Sequence, residues 1–171
     1  DGRLEFGIGR GILRHEYDLF GVNPDHSQGR YHEALDIILQ AWTQGEVEYA
    51  GTHFNIEPVK TLPTPVQQPH PPIWAAAVAS PESFIWTGER GYNIMLVPFA
   101  YPTFGPLRER VDLYRQTLVD NGHDPDQREV QGVYHMYVAE DDGQARREAE
   151  TELDRYLKFF AGLDKPWQST Q

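Results

Sequence analysis

Two groups of residues in this sequence are suited to chemistry by type and spacing. One is Arg10, set between glycines in Gly7-Ile8-Gly9-Arg10-Gly11; the other is the serine pair of Ala79-Ser80-Pro81-Glu82-Ser83. A guanidinium presents a planar fork of donors that matches phosphate or carboxylate oxygens. Two hydroxyls in the opening turn of a helix suit the same ligands, because free N–H groups and the positive end of the dipole lie there. Each group also has an ordinary reading. Ser-Pro-Glu is a common helix opening, with Ser80 as N-cap and Pro81 in the first turn, and standing alone the two serines read as a cap. Arg10 standing alone reads equally well as part of a surface turn. Together they compose a clamp for a phosphate, with the Glu82 side chain directed outward.

Other chemistries find less support. The histidine-acid pairs His15-Glu16, His32-Glu33 and His123-Asp124 are adjacent residues, which diverge on helices and strands alike. With no H-E-x-x-H spacing, no metal site is expected. Zero cysteines exclude disulfides and thiolate ligands. The glycines around Arg10 do not form a dinucleotide fingerprint, since no helix begins there, and nothing resembles a G-x-S-x-G nucleophile. Trp42, Trp74 and Trp86 read as core.

The elements that must carry the clamp follow from periodicity. "RLEFGIG" alternates as a short strand, and "HEYDLFGVNPD" reads as irregular. Tyr31, Ala34, Leu35, Ile38, Leu39 and Trp42 recur at three- and four-residue steps, which predicts a helix over 26–43. A hairpin is expected around Ala50-Gly51, then a proline strap from Pro58 to Pro72 that forbids helix and central strand. "PIWAAAVA" is a buried strand, Ser80 to Gly91 a helix, and "YNIMLVPF" a second apolar strand. A helix follows Gly105-Pro106 and ends at Asn121-Gly122. "REVQGVYHMYVAE" reads as a third long strand, and Asp141-Asp142 caps a last helix with Ala145, Ala149, Leu153, Tyr156, Leu157 and Phe160 on one face. Alternating strands and helices imply a parallel sheet with helices outside, either doubly wound or part of a (β/α)8 barrel. Both architectures bind ligands at the carboxyl ends of the strands, where Arg10, Ser80 and Ser83 fall.

Composition narrows the partners. The 171 residues include 39% hydrophobic and 12% aromatic side chains, enough for a real core. With 15 basic against 26 acidic residues the net charge is −11, without a basic stripe, so neither nucleic acid nor a membrane surface is an expected partner. No apolar run reaches the ~18 residues of a membrane span. The absence of a visible signal peptide and of cysteine points to a cytoplasmic protein. The opening Asp1-Gly2-Arg3-Leu4, without an initiator Met, and the closing "KPWQSTQ" read as the ends of a piece of a longer protein.

The stretches "GRLEFGIGRG", Phe20-Gly21 shortly after it, "RYHEALDIILQAW", "PHPPIWAAAVASPESFIWTGERGYNIML" and "VAEDDGQARREAE" occur in an order that resembles the bacterial luciferase-like monooxygenases. The resemblance implies an α/β fold: part of a (β/α)8 TIM-type barrel, about four β/α units with a small hairpin insertion. Residues 1–171 would form a single partial barrel domain, similar to strands four to seven. It implies reduced FMN as cofactor, supplied by a separate flavin reductase, with O2 and a small organic molecule as substrates of an oxygenation.

By the same resemblance Arg10 matches the arginine that grips the flavin phosphate, and Ser80 and Ser83 match the hydroxyls that complete the cradle. Ser83 stands where luciferase has threonine. Ala79 matches a flavin-contacting glutamate, so only a backbone contact is kept, and Leu13 replaces a tyrosine. Catalytic residues are expected on strands one to three of the family barrel, and no histidine of this chain matches one. Two other readings remain open. One is a non-catalytic half-barrel that holds flavin without turning it over, or that joins another copy as a homo-oligomer or the remainder of a parent chain. The other is a deazaflavin-dependent oxidoreductase of the same superfamily, working by hydride transfer.

Overall fold

A computed structural model describes residues 2–162. The closing "KPWQSTQ" lies outside the described residues, as does the side chain of Phe160. The chain divides into two compact units, one taking in the chain up to Gly9 and Glu33–Tyr134, the other Arg10–His32 and the chain from His135.

The first unit is built on a four-stranded parallel sheet. Its strands are β1 (Phe6–Ile8), β4 (Ile73–Ala77), β5 (Asn93–Leu96) and β6 (Val130–Gly132), hydrogen-bonded in that order. Ile8 pairs with Ala75, Ala75 with Ile94, and Leu96 with Gly132, so every carboxyl end lies on one edge. The connections are helical: α2 (Ser27–Gln44), of which Glu33–Gln44 belongs to this unit, then α3 (Pro81–Glu89) and α4 (Phe104–Asp120). The sheet and the order of its β/α units are those expected.

Alternation explains the core. Ala77, Ile94 and Leu96 turn one way and pack with Phe84 of α3 and Leu107, Tyr114 and Leu118 of α4. A second cluster joins Leu35 of α2 to Ile73 and Tyr92, flanked by Phe6, Ile8, Leu39 and Trp86. Phe84 is fully buried, which stabilises the start of α3 by about 2–3 kcal/mol relative to exposure. Helices α3 and α4 meet at Gly88, where an added Cβ would lie 2.8 Å from Cβ of Thr117, so the close approach requires glycine. Trp42, Trp74 and Trp86 sit in the core or at its margin. Trp74 is buried and its Nε1 donates to Glu5 at 2.6 Å; Trp42 packs edge-on to Phe6; Trp86 packs against Tyr92.

The hairpin pairs β2 (Glu46–Ala50) with β3 (Asn55–Lys60). Here one expectation is corrected, because the proline strap begins only after Lys60 and Pro58 lies inside β3. The pairing shifts between Val47 and Tyr49, and this bulge accommodates a residue with no N–H to give. A second correction concerns the last strand. Only Val130–Gly132 form the strand, the Val133 N–H still donates to the Leu96 carbonyl at 2.9 Å, and the expected continuation beyond it is not a strand, with Met136 and Val138 at 82% and 81% exposure. Among the described residues no strand lies beyond β6, so the alternating pattern there has nothing to pair with.

The second unit contains α1 (Arg14–Leu19), the first part of α2, and α5 (Asp142–Gly162). The stretch expected to be irregular thus forms a short helix. Buried Tyr17 organises it, its hydroxyl donating to the Arg10 carbonyl at 2.7 Å and lying 3.2 Å from that of Gly11. Asp141 caps α5 as expected, accepting from the Gln144 N–H at 2.8 Å. The apolar face of α5 is open, with Leu153, Tyr156 and Leu157 at least 39% exposed.

Candidate functional site

The turn from β4 into α3 carries three of the four residues singled out by sequence. Ala77 ends the strand and is 1% exposed; Ala79 and Ser80 are exposed, Ser83 is half-buried, and Phe84 returns the chain to the core. Ser80 occupies the N-cap position with extended backbone (φ −69°, ψ 128°), and Pro81 follows in the first turn. The expected cap hydrogen bond is not made. Ser80 Oγ instead lies 3.0 Å from Ser83 Oγ, and the Ser83 N–H reaches back to the Ser80 carbonyl at 3.2 Å. The physical reason is competition. The backbone of the turn takes the N–H that a capping hydroxyl would bind, which leaves the two hydroxyls facing each other.

The two hydroxyls therefore form a pair at the positive end of a helix, engaged with each other and with no backbone group. Such a pair can turn both O–H groups onto one anion. Glu82 in the same turn is exposed, consistent with an outward side chain.

The turn is tied down from the segment that follows β5. The Tyr101 hydroxyl donates to the Val78 carbonyl, and Arg110 Nε of α4 donates to the Ala79 carbonyl at 3.2 Å. On the other side, Thr87 Oγ1 donates to the Ser83 carbonyl at 2.6 Å. Burial pushes the Tyr101 hydroxyl above its ordinary value, and the nearby Arg110 charge opposes that rise. Sequence reading missed Tyr101 and Arg110. Tyr101 sits among prolines after a strand, and Arg110 borders the apolar stripe of its helix, positions that carry only weak signals.

Arg10 opens the second unit, directly after Gly9, where the chain leaves the carboxyl edge of β1. Of the three glycines around it, Gly11 alone has a left-handed φ, +84°, and the Tyr17 hydroxyl fixes the Arg10 carbonyl. Leu13 precedes α1 with an extended backbone. Among the described residues no three histidine or acidic side chains converge as a metal centre. Glu33, one of the paired acids, instead accepts N–H groups of Thr52, His53 and Phe54 and anchors the hairpin turn. No helix of the described residues is long and apolar enough to cross a membrane.

Comparison with known proteins then decides the family. The family described as luciferase-like monooxygenase matches residues 1–170. The chain belongs to that family. Among curated family relatives, an uncharacterized protein of Sinorhizobium fredii is 44% identical over 96 residues, covering 56% of this chain and 28% of the relative. The oxygenase component of a flavin-dependent trigonelline monooxygenase from Acinetobacter baylyi is 27% identical over 96% of this chain and 45% of its own length. The crystal structure of the monooxygenase RslO1 from Streptomyces bottropensis superposes with a TM-score of 0.86 at 30% identity, over 95% of this chain and 49% of that one. A type II Baeyer-Villiger monooxygenase constituent from Pseudomonas putida, solved in complex with FMN, shares the fold with a TM-score of 0.72 at 20% identity, over 88% of this chain and 46% of that one. The chain thus spans about half or less of the length of these relatives. The expected α/β fold and family are both met.

Proposed function

We propose that this chain is the phosphate-holding portion of a flavin-dependent monooxygenase, equivalent to strands four to seven of its barrel. The enzyme uses reduced FMN and O2 to oxygenate a small organic molecule. The observation that carries this reading is the family match over residues 1–170. The flavin-dependent relative is named as an oxygenase component, which supports reduced FMN arriving from a separate flavin reductase. The FMN complex of a protein with the same fold supports the choice of nucleotide.

The serine pair supports this reading. Ser80 and Ser83 present two hydroxyls 3.0 Å apart that serve no cap, in the first turn of α3. In the proposed site both donate to phosphate oxygens, Arg10 supplies the balancing charge, and Ala79 contributes only backbone. Reduced FMN, when bound, supplies the electrons for oxygen activation. This chain's own part is to bind and orient it, and the work of excluding water and holding protons falls to groups outside the four positions named. The open apolar positions Met136, Val138 and Leu157 support a second element of the reading, association with another copy or with the rest of a longer chain.

Titration with FMN and with riboflavin, which lacks the phosphate, tests the site. The expected result is FMN binding at least about tenfold tighter than riboflavin, about 1.4 kcal/mol, with the preference lost in an Arg10→Ala, Ser80→Ala double variant. Equal affinity for the two flavins in the unsubstituted chain refutes the phosphate cradle. Cofactor co-purifying as a deazaflavin refutes the choice of FMN.

A further inference from the structure

We propose that Arg110 and Tyr101 are positioning residues for this cradle, holding the two carbonyls that precede Ser80, and that Arg110 adds a positive charge to the turn. The proposal rests on the reading of Ser80 and Ser83 as phosphate ligands, and it concerns residues outside the four that sequence singled out.

The argument starts from what the turn lacks. An ordinary N-cap fixes the entry to a helix through its side chain, and Ser80 makes no such bond. Ala79 and Ser80 are exposed, so packing does not fix them either. The two bonds from the segment after β5 fill that role, Tyr101 to the Val78 carbonyl and Arg110 to the Ala79 carbonyl. A peptide group is planar and trans, so holding a carbonyl also aims the N–H of the next residue in the opposite direction. Anchoring Val78 and Ala79 therefore sets the N–H groups of Ala79 and Ser80, and with them the Cα from which the Ser80 hydroxyl projects.

The anchor is itself rigid. Arg110 lies between Leu107 and Tyr114 on α4, both buried in the main core, and α4 is locked against α3 by the close approach at Gly88. A site held by a packed second layer keeps its geometry without ligand. Charge adds to geometry. The Arg110 guanidinium offsets the negative end of the Ala79 carbonyl, one residue from a hydroxyl that would face an anion. In a protein of net charge −11, a local cation at this turn counts for more than the overall field.

The test uses the full chain with Arg110→Gln, Tyr101→Phe and Arg110→Lys, measuring dissociation constants for FMN and riboflavin at low and high salt. Arg110→Gln is expected to weaken FMN about five- to tenfold, leave riboflavin within about twofold, and flatten the salt dependence of FMN binding. Tyr101→Phe is expected to weaken FMN about two- to threefold with the salt dependence intact, since no charge is lost. Arg110→Lys should keep the salt dependence and lose part of the preference, and it decides the matter if the glutamine variant does not fold. In a Ser80→Ala, Ser83→Ala background, Arg110→Gln should have a smaller effect, because the residues act through one another. A merely structural bond would weaken both flavins alike. That result, or an unchanged FMN-to-riboflavin ratio in a chain that does prefer FMN, overturns this proposal and leaves the cradle standing. A chain without any preference overturns the cradle and this proposal together.

Discussion

Tyr114→Phe probes the helix that carries the anchoring arginine. Tyr114 is 0% exposed, and its hydroxyl donates to the Tyr92 carbonyl at 2.7 Å, joining α4 to the residue just before β5. Phenylalanine keeps the ring and the packing but leaves that carbonyl without its donor inside the core. A buried acceptor left unsatisfied costs about 1–3 kcal/mol. Taking about 2 kcal/mol, the thermal midpoint should fall by roughly 4–8 °C for a chain of this size. The same hydroxyl also gives a pH signature. Burial pushes Tyr114 up to about 12 from an ordinary value of 10.0. Between those values the unfolded chain releases a proton that the native state retains. The contribution is fully present below pH 10 and is lost as pH rises to about 12, at about 1.4 kcal/mol per pH unit.

Phenylalanine has no proton to lose, so the stability gap between the two proteins should close with alkalinity. A gap of about 2 kcal/mol at pH 8 should shrink by more than half by pH 11 and vanish before pH 12. Tyr49, Tyr92 and Tyr101 are also raised by burial, but both proteins contain them, so the difference isolates Tyr114. Urea unfolding followed by far-ultraviolet circular dichroism at pH 8, 10, 11 and 11.5 measures it. A gap that stays constant across that series would refute the reasoning, since the hydroxyl could not then be held neutral by the fold.

Two further predictions bear on the turns that carry polar groups. Ser80→Ala should cost under about 0.5 kcal/mol in urea unfolding, well below the ~1 kcal/mol of a working cap, because the hydroxyl makes no cap bond; a loss of 1 kcal/mol or more would restore the ordinary capping role. For Glu33, burial opposes ionisation, but the N–H groups of His53, Thr52 and Phe54 outweigh it and hold the carboxyl below its ordinary 4.5. Its support for the hairpin is therefore present above that value and is lost as pH falls through the lowered one. Amide exchange at Thr52, His53 and Phe54, corrected for intrinsic rates, should accelerate over that acidic range, and Glu33→Gln should abolish the dependence.

What was legible in the sequence follows from how local the signals are. The parallel sheet could be read because Ile73, Ile94 and Leu96 sit in short apolar runs, each followed by a helix with a three-to-four repeat. Ser80 and Ser83 could be read because type and spacing are local facts. Three features failed for physical reasons. The helix at Arg14–Leu19 depends on buried Tyr17 reaching back to the carbonyls of Arg10 and Gly11, a contact no propensity encodes. The stretch Tyr134–Val138 continues the alternation of a strand, but pairing needs a neighbour, and the pattern cannot say whether one is there. Arg110 and Tyr101 are remote in sequence from Ala79 and Val78; Arg110 meets its carbonyl because α4 packs on α3, and Tyr101 because β5, which it follows, pairs with β4.

That last dependence explains how a pair of hydroxyls at the margin of the core can be held in place. The core stops at Ala77, which is 1% exposed, and resumes at Phe84, which is fully buried. Between them the chain is too short to wander far and too exposed to be fixed by packing. Each fixed point along it is a carbonyl: Val78 held by Tyr101, Ala79 by Arg110, Ser80 by the Ser83 N–H, Ser83 by Thr87. The acceptors of the turn are thus satisfied from within the protein, whereas the two hydroxyls are left to each other. A turn with satisfied acceptors and two hydroxyls bonded only to each other is suited to a ligand that brings acceptors of its own. A phosphate oxygen meets that requirement, and a neutral ligand lacking strong acceptors does not. On the proposed reading the Ser80–Ser83 pair serves the phosphate rather than the stability of the fold, and the small cost expected for Ser80→Ala is the corresponding prediction.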